Sequence, residues 1–319
     1  MFLRCSGLLW RWACGAPPRL FAYAESHMEA RCDGGCEIGN RCFTESMAAN
    51  PPRQASMRRK LIGRRLRMRR KQAELPMRHP EITARVGSTR SLQRLEDGEA
   101  SGLTFPVIGS LCDLYKVEPE EKFELQRLWR LGPATNWTQP RGRSVFGYDA
   151  YRELELHASH VCKYESTFVP GHLQDERYIR AMFARNPELD EESIENETQN
   201  RLRAQGPFWQ DDPGRPYRFL MSEAVLRYGC DAAQLGRLID ADSLEHTTVK
   251  YIPFESGPPS LLNVSFSLLS FPDDDDPDIV YVEAPDAYLY FEEDESVRYY
   301  SMGFQTSDGQ ARSVKEFKL

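Results

Sequence analysis

The stretch VGSTRSLQRLEDG, residues 86–98, decides the fold class of the N-terminal part of this chain. Gly87-Ser88-Thr89 is typical of a tight turn, and the serine or threonine hydroxyl can cap the helix that follows. Residues 90–97 predict that short helix, and Gly98 suits the left-handed position at which many helices end. The sequence therefore predicts a turn followed by a short, capped helix.

Helical patterns on both sides extend this unit into a bundle. Upstream, apolar residues spaced between residues 61 and 75 predict a first helix whose outer face is basic. Pro80 suits the first turn of a second helix that runs to about residue 86. Downstream, the apolar spacing of residues 105–115 predicts a further helix. Four or five short helices joined by tight turns predict a small helix-turn-helix bundle.

Charge is unevenly distributed along the chain. Residues 57–90 contain twelve Lys and Arg and two Glu, a net +10, although the whole chain carries −7. Residues 273–295 contain eleven carboxylates and no Lys or Arg. A compact basic segment attracts phosphate, and the release of counterions drives that binding. Charge alone leaves open the alternative of a solvated basic helix without a partner.

The N-terminal residues resemble a signal peptide only superficially. Their apolar region is interrupted by Arg11, Pro17, Pro18 and Arg19, and the chain contains no apolar run of about 20 residues that would span a bilayer. We therefore expect a cytoplasmic protein without a membrane partner. We expect residues 1–56 to be a disordered extension or the product of a start codon assigned too early, with Met47 and Met57 as alternative starts.

The N-terminal cysteines allow one metal hypothesis. Cys32, Cys36 and Cys42, with His27 nearby, are residue types that ligate zinc or an iron–sulfur cluster. Their spacing matches no familiar zinc ribbon or ferredoxin pattern, so we favour an extension without metal and predict no cofactor.

The bundle also resembles a known family of DNA-binding domains. Its motifs are Leu66-Arg67-x-x-Arg70, Val86-Gly87-Ser88, Leu92-x-Arg94-Leu95-Glu96-x-Gly98 and Leu111-Cys112-Asp113-Leu114-Tyr115. With these motifs, residues 58–131 resemble the DNA-binding domain of Xre-type (lambda-repressor-like) regulators. Two positions depart from that family, since Arg69 replaces the usual Leu and Glu74 the usual Gly.

The resemblance implies specific roles for individual side chains. It implies that Glu96 pairs with Arg70 and that the helix closed by this glutamate is the recognition helix. Thr89, Arg90, Ser91 and Gln93 would then point into the major groove, where Arg prefers guanine and Gln prefers adenine edges. We expect the phosphate contacts to come from five arginines: Arg58, Arg59, Arg64, Arg65 and Arg85. A homodimer on a near-palindromic site is the expected assembly.

The rest of the chain resembles a second domain type. Its landmarks are Tyr164-Glu165, Val169-Pro170-Gly171-x-Leu173-Gln174, Tyr178 and Ala181, then Ser222-Glu223-Ala224-Val225-Leu226-Arg227, Ile252-Pro253-Phe254, Phe266-Ser267-Leu268-Leu269-x-Phe271-Pro272 and Val280-Tyr281-Val282-Glu283. Residues 132–319 resemble the uncharacterised C-terminal domain of many actinobacterial regulators, including WhiJ-like developmental regulators. The resemblance implies that this domain engages a small companion protein or a ligand. Residues 256–260 depart from it, since relatives often carry a histidine-containing loop there.

Patterning within residues 132–319 predicts an α+β domain. Residues 173–185, 191–205 and 294–304 have helical spacing, and five short β-branched or aromatic segments predict strands at 217–221, 248–254, 265–271, 279–283 and 287–291. Because the later strands follow one another without helices between them, the sheet should be mainly antiparallel. The predicted organisation is an extension (1–56), a helix-turn-helix domain (57–131) and an α+β domain (132–319).

Candidate catalytic and metal-binding groups in this domain are sparse. His157 and His160 would face the same way on a helix, with Cys162 close by, yet no third ligand is evident. The acidic run at 273–276 lacks the Gly and the distal Glu of a calcium loop. No HExxH, GxSxG or P-loop motif is present, so we predict that the protein is not an enzyme and holds no metal.

The aromatic residues near the acidic segment have two interpretations. Tyr281, Tyr288, Tyr290 and Phe291 would suit a partner interface if exposed, but their alternation in strands favours burial in the sheet core.

The sequence thus predicts a sequence-specific regulator of transcription that binds double-stranded DNA. Its C-terminal domain would bind a companion protein or a ligand. The alternative is an antitoxin-like or scaffold protein that sequesters a partner protein, with DNA binding secondary.

Overall fold

The computed structural model of this protein describes residues 56–319, apart from residue 100 and the segments 132–134, 141–146, 211–214, 258–263 and 274–275. The predicted extension, except Ser56, and the Cys32–Cys42 group lie outside the described residues. The described residues belong to one compact unit. The predicted boundary at residues 131/132 stays a prediction.

Five helices form the N-terminal bundle: α1 (Met57–Gln72), α2 (Pro80–Val86), α3 (Thr89–Glu96), α4 (Phe105–Leu114) and α5 (Pro119–Arg130). The turn between α2 and α3 has the predicted chemistry. Gly87 adopts φ 83°, and the hydroxyl of Ser88 accepts a hydrogen bond from the Ser91 backbone N–H at 3.0 Å. Helix α1 ends at Gln72, although the predicted helix extended to Leu75. Glu74, between the two, takes a left-handed conformation with φ 56°.

Two glycines allow α1 and α3 to approach closely. Gly98 has φ 77°, and a Cβ there would overlap the backbone of Lys60. A Cβ at Gly63 would overlap the carbonyl oxygens of Leu95 and Glu96. Both contacts require residues without a side chain, so the C-terminal end of α3 is fixed directly on α1.

The α+β region follows the bundle. Its strands are β1 (Trp137–Pro140), β2 (His160–Glu165), β3 (Tyr217–Ser222), β4 (Thr247–Ile252), β5 (Phe266–Ser270), β6 (Ile279–Glu283), β7 (Ala287–Phe291) and β8 (Arg312–Ser313). Its helices are α6 (Gly147–His157), α7 (Glu176–Phe183), α8 (Glu191–Gln210), α9 (Glu223–Arg227), α10 (Ala232–Ala241) and α11 (Asp294–Asp308). Short 3₁₀ helices occur at Phe254–Ser256 and Val314–Glu316.

The eight strands form one sheet in the order β1-β7-β6-β5-β2-β3-β4-β8. Strands β2, β3 and β4 are parallel because helices connect them, and the other neighbouring pairs are antiparallel. The predicted fold class, a helical bundle followed by an α+β region with a mainly antiparallel sheet, is confirmed. Strands β6 and β7 have the predicted bounds.

The sequence did not predict the elements between the bundle and α7. Strand β2, with the sequence HVCKYE, lies in the middle of the sheet although it contains a buried lysine. The helix predicted from residue 173 begins only at Glu176, because the Asp175 side chain caps it by accepting the Tyr178 N–H at 2.7 Å.

His157 and His160 do not share the helix that the metal hypothesis would have required. His157 is the last residue of α6, whereas His160 begins β2, so the two are not one helical turn apart. The ring of His157 is 2.7 Å from the carbonyl oxygen of Glu153.

The aromatic residues of β6 and β7 belong mainly to the core. Tyr281 and Tyr290 are buried, and Tyr290 stacks on Trp137 of β1 with ring centroids 3.9 Å apart. Tyr288 and Phe291 are partly buried and pack against the core. The interpretation that these aromatic residues pack in the core is therefore confirmed. They do not form an exposed aromatic surface.

Candidate nucleic-acid interface

The outer face of α3 is polar and accessible. Leu92 and Leu95 are buried in the bundle, whereas Arg90 and Gln93 are exposed. Thr89 and Ser91 are partly buried, and the Ser91 hydroxyl lies 2.9 Å from that of Ser88 within the helix cap. Because the buried leucines fix the rotation of the helix, Arg90 and Gln93 are presented to solvent side by side.

The predicted pair of Arg70 and Glu96 is present and buried. Arg70 Nε donates to Glu96 Oε1 at 2.6 Å, and Nη2 donates to Oε2 at 2.9 Å. Arg70 Nη1 also donates to the carbonyl oxygen of Leu75 at 2.8 Å. The hydrogen bonds to Glu96 and the charge of that carboxylate raise the pKa of Arg70, although burial opposes the rise. One guanidinium thus ties the end of α1 to the end of α3 and sets the position of the exposed face.

Arg58 does not fit the predicted phosphate contacts. It is fully buried, and its guanidinium donates to the carbonyl oxygens of Thr135 at 2.8 Å and Leu131 at 3.2 Å. Burial lowers its pKa, an effect that Glu292 partly opposes. Its role is structural, because phosphate cannot reach a guanidinium enclosed between the bundle and the sheet.

The other four predicted phosphate contacts already have partners within the chain. Arg65 Nε donates to Glu121 at 2.8 Å and Arg64 Nη1 to Glu153 at 3.1 Å. Arg59 lies over the Trp129 ring at 4.8 Å, and Arg85 Nε donates to the Ser110 hydroxyl at 2.8 Å. These four stay predictions, and Arg64, Arg65 and Arg85 would have to exchange a hydrogen-bond partner for phosphate.

Four basic residues of the bundle remain exposed without such partners. The side chains of Lys71, Arg78, Arg90 and Lys116 make no hydrogen bond or ion pair with any residue that the structure describes. Only Arg90 was predicted as a contact. Lys71, Arg78 and Lys116 were not singled out, because a basic sequence alone does not reveal which charges are neutralised by distant carboxylates.

Several of those carboxylates come from the sheet region. Asp276 accepts from Lys60 Nζ at 2.5 Å. Glu292, at the end of β7, accepts from the Ser56 hydroxyl at 2.8 Å and the Arg58 backbone N–H at 2.9 Å. The acidic segment at 273–295 therefore lies partly against the basic helix α1.

A second polar cluster lies within the α+β region. Lys163 Nζ of β2 is 2.8 Å from Glu155 Oε1 of α6, and the Tyr151 hydroxyl donates to the same oxygen at 2.6 Å. His172 Nε2 is 3.3 Å from Glu155 Oε2, and its Nδ1 is 3.2 Å from Lys163 Nζ. We call Tyr151, Glu155, Lys163 and His172 the buried network.

The protonation states of the buried network follow from its geometry. Burial lowers the pKa of His172, and the neighbouring Glu155 opposes this only in part. Burial would raise the pKa of Glu155, but His172 and Lys163 outweigh it and hold that pKa well below its ordinary value. A neutral His172 that accepts from Lys163 and donates to Glu155 satisfies all three groups.

Within the described residues, no helix is both long enough and apolar enough to cross a membrane.

Comparisons with known proteins give one family match. The profile of a domain of unknown function (DUF5753) matches residues 148–316, more than half of the 319 residues. No curated protein matches. Among solved structures, NucT from Helicobacter pylori is 12% identical with a TM-score of 0.33, and the match covers 56% of this chain and 98% of that one.

A second solved structure is TrmBL2, described as an archaeal chromatin protein with a novel mode of DNA binding. It is 11% identical with a TM-score of 0.28, and the match covers 63% of this chain and 56% of that one. At these scores neither likeness says anything about what this chain binds.

Proposed function

This chain belongs to the DUF5753 family, and we propose that it is a sequence-specific DNA-binding regulator of transcription whose family domain binds a ligand or a companion protein. The observation that carries the proposal is the accessible face of α3. Arg90 and Gln93 project from a helix held by the Ser88 cap at its start and by the Arg70–Glu96 pair at its end. A rigid helix with Arg and Gln on its exposed face suits base recognition in the major groove.

In this proposal the contacts divide by role. Thr89, Arg90, Ser91 and Gln93 contact base edges at the N-terminal half of α3. Exposed Lys71 and Arg78 supply phosphate contacts in addition to Arg59, Arg64, Arg65 and Arg85. The cytoplasmic location, the homodimer and the near-palindromic site are part of the same proposal.

The test is a salt-titrated binding assay of the full chain on the DNA upstream of its own gene, against scrambled DNA. We expect specific binding at least about a thousandfold tighter than binding to scrambled DNA. Gln93→Ala should cost about 1–3 kcal/mol on the specific site and little on scrambled DNA. Arg78→Ala, the matched phosphate control, should weaken both complexes alike.

The same titration tests how many basic side chains reach phosphate. If only Lys71, Arg78 and Arg90 do so, the slope of log K against log salt should be about −3 per protomer, at about −0.9 per neutralised phosphate. A markedly steeper slope would mean that α1 exchanges its carboxylate partners for phosphate. Equal losses for Gln93→Ala on both DNAs would contradict base recognition by α3.

A further inference from the structure

An open cleft of about 220 Å³ lies beside helix α7 in the family domain. Its lining comes from residues 167–168, from α7 and the residues that flank it, and from residues 228–234. For comparison, an engineered apolar cavity of about 150 Å³ holds one benzene molecule. The cleft therefore has room for an aromatic ring with a short substituent.

Aromatic and other apolar side chains make up much of the lining. Tyr178, Ala181 and Met182 line the cleft from one face of α7, because residues three and four positions apart are neighbours on a helix. Phe168 and Tyr228 also line it, although they are 48% and 63% exposed. A planar ring bound in the cleft would remove this apolar surface from water and could stack on the two aromatic rings.

The lining also offers a cation without a partner. The Arg185 side chain, just after α7, makes no hydrogen bond or ion pair with any residue that the structure describes. The other charged groups of the lining are engaged. Arg177 pairs with Asp231, and the Asp175 carboxylate accepts the Tyr178 backbone N–H at the start of α7 at 2.7 Å. The charge that remains available to a ligand is therefore positive.

A hydrogen-bond donor lies in the same cleft. The Tyr178 hydroxyl accepts the Val169 backbone N–H at 3.1 Å, and its own hydrogen has no acceptor within the described part of the chain. Burial raises the pKa of Tyr178, although the Val169 N–H opposes the rise, so the hydroxyl is protonated at neutral pH. Arg185 lines the same cleft and acts on this phenol electrostatically, so both groups can reach one anion.

Buried hydrogen bonds fix the frame of the cleft. Gln234 of α10 donates from Nε2 to the carbonyl oxygen of Leu173 at 2.7 Å, and its Oε1 accepts the Asp175 backbone N–H at 2.8 Å. Asp231 caps α10 by accepting the Gln234 backbone N–H at 2.9 Å. The start of α7 is thus held on the start of α10. A frame fixed in this way is typical of the preformed clefts that bind small molecules.

We propose that the cleft beside α7 binds a small planar aromatic molecule that carries a carboxylate. The ring packs against Phe168, Tyr228 and Met182, and the carboxylate is bound by Arg185 and the Tyr178 hydroxyl. The planar guanidinium matches the paired oxygens of a carboxylate. The inference rests on the proposed function, since it names the class of ligand that the family domain of the regulator would bind.

The experiment is ligand binding by the full chain without DNA, measured by isothermal titration calorimetry and saturation-transfer NMR. The probe is benzoate, and two matched compounds separate its two parts. Benzamide keeps the aromatic ring without the charge, and cyclohexanecarboxylate keeps the charge without the aromatic ring. We expect saturable benzoate binding at about millimolar concentration. Each matched compound should bind at least about fivefold more weakly, because it loses either the charge-assisted hydrogen bonds or the aromatic contacts.

Exposed positions provide variants that test each contact without disturbing the core. Arg185→Gln should weaken benzoate binding about fivefold and leave benzamide binding unchanged. Phe168→Ala should weaken the binding of both compounds by a similar factor. The matched controls are Arg203→Gln, at an exposed arginine of α8, and Phe123→Ala, at an exposed ring of α5. Neither control residue lines the cleft, so both variants should bind benzoate as the wild type does.

The absence of saturable benzoate binding would overturn the inference. Equal benzoate affinity in the wild type and Arg185→Gln, or equal binding of benzoate and cyclohexanecarboxylate, would do the same. Gln93→Ala should leave benzoate binding unchanged. Failure of benzoate binding with intact specific DNA binding refutes the ligand site alone, whereas loss of specific DNA binding with intact benzoate binding refutes the proposed regulator.

Discussion

At the scale of single residues, the bond between Arg70 and Glu96 has the largest consequence for the bundle. Both side chains are buried, and Glu96 receives two hydrogen bonds from Arg70 and one from Arg67 at 3.1 Å. Removing one partner of a buried pair leaves the other charge without compensation, which costs more than the pair contributes.

We therefore expect Arg70→Ala to lower the free energy of unfolding by about 3–5 kcal/mol, measured by urea denaturation. Arg67→Ala is the matched control, because Arg67 bonds the same glutamate from a more exposed position and should cost about 0–1 kcal/mol. Similar losses of unfolding free energy in the two variants would show that Arg70 is not the main partner that compensates the buried charge of Glu96.

At the scale of elements, α1 shows why local charge is a poor guide to a surface. Five of its arginines and Lys60 bond carboxylates, which are Glu121 of α5, Glu96 and Asp97 of the α3 end, Glu153 of α6 and Asp276. The helix that is most basic in sequence is thus largely neutralised by carboxylates that are distant in sequence, up to 216 residues away. Most of its basic side chains therefore stabilise the fold through ion pairs within the chain.

The buried network, in which His172 of the loop after β2 contacts Glu155 of α6 and Lys163 of β2, predicts how stability depends on pH. The pKa of His172 is lowered in the folded protein, so below an unfolded value of about 6.5 the unfolded chain takes up a proton that the folded chain refuses. The stability linked to His172 is present above that pH and is lost as the pH falls below it, by up to about 1.4 kcal/mol per pH unit.

His172→Gln should remove this dependence, seen as a shallower fall in the free energy of unfolding between pH 7 and pH 5. His246→Gln, at an exposed histidine, should keep the wild-type slope. The carboxylate of Glu155, whose pKa is lowered, adds a loss only at more acidic pH. Parallel curves for the wild type and His172→Gln would contradict the neutral, buried state of His172.

At the scale of the whole molecule, Glu292 joins the bundle to the sheet. Its carboxylate accepts from the Ser56 hydroxyl, from the backbone N–H in the first turn of α1 and from Trp137 Nε1 at 2.9 Å. Apolar residues of the bundle and of one sheet face also belong to a single core cluster. The N-terminal end of α1 is thus capped by a residue 234 positions further along the chain.

We expect Glu292→Gln to lower the free energy of unfolding by about 2–4 kcal/mol, since it removes a charged acceptor of three buried donors. Differential scanning calorimetry should also show the single transition of the wild type separating into two, as the bundle uncouples from the sheet. Glu295→Gln, at an exposed position of α11, should change neither quantity. One unshifted transition in Glu292→Gln would show that the shared apolar core alone couples the two parts.

The sequence by itself determined those features that depend on neighbouring residues. The α2–α3 turn, the Ser88 cap, the left-handed Gly98 and the strands β6 and β7 follow from turn chemistry and local periodicity. Family resemblance added the Arg70–Glu96 pair and the outline of the second domain. These predictions succeeded because propensity and spacing act within a few residues.

Only the tertiary structure decided which polar groups are available to a partner. It buried Arg58 and placed β2 with its lysine in the middle of the sheet. The free energy of a charged side chain depends on burial and on oxygens contributed by distant segments, and local sequence contains neither.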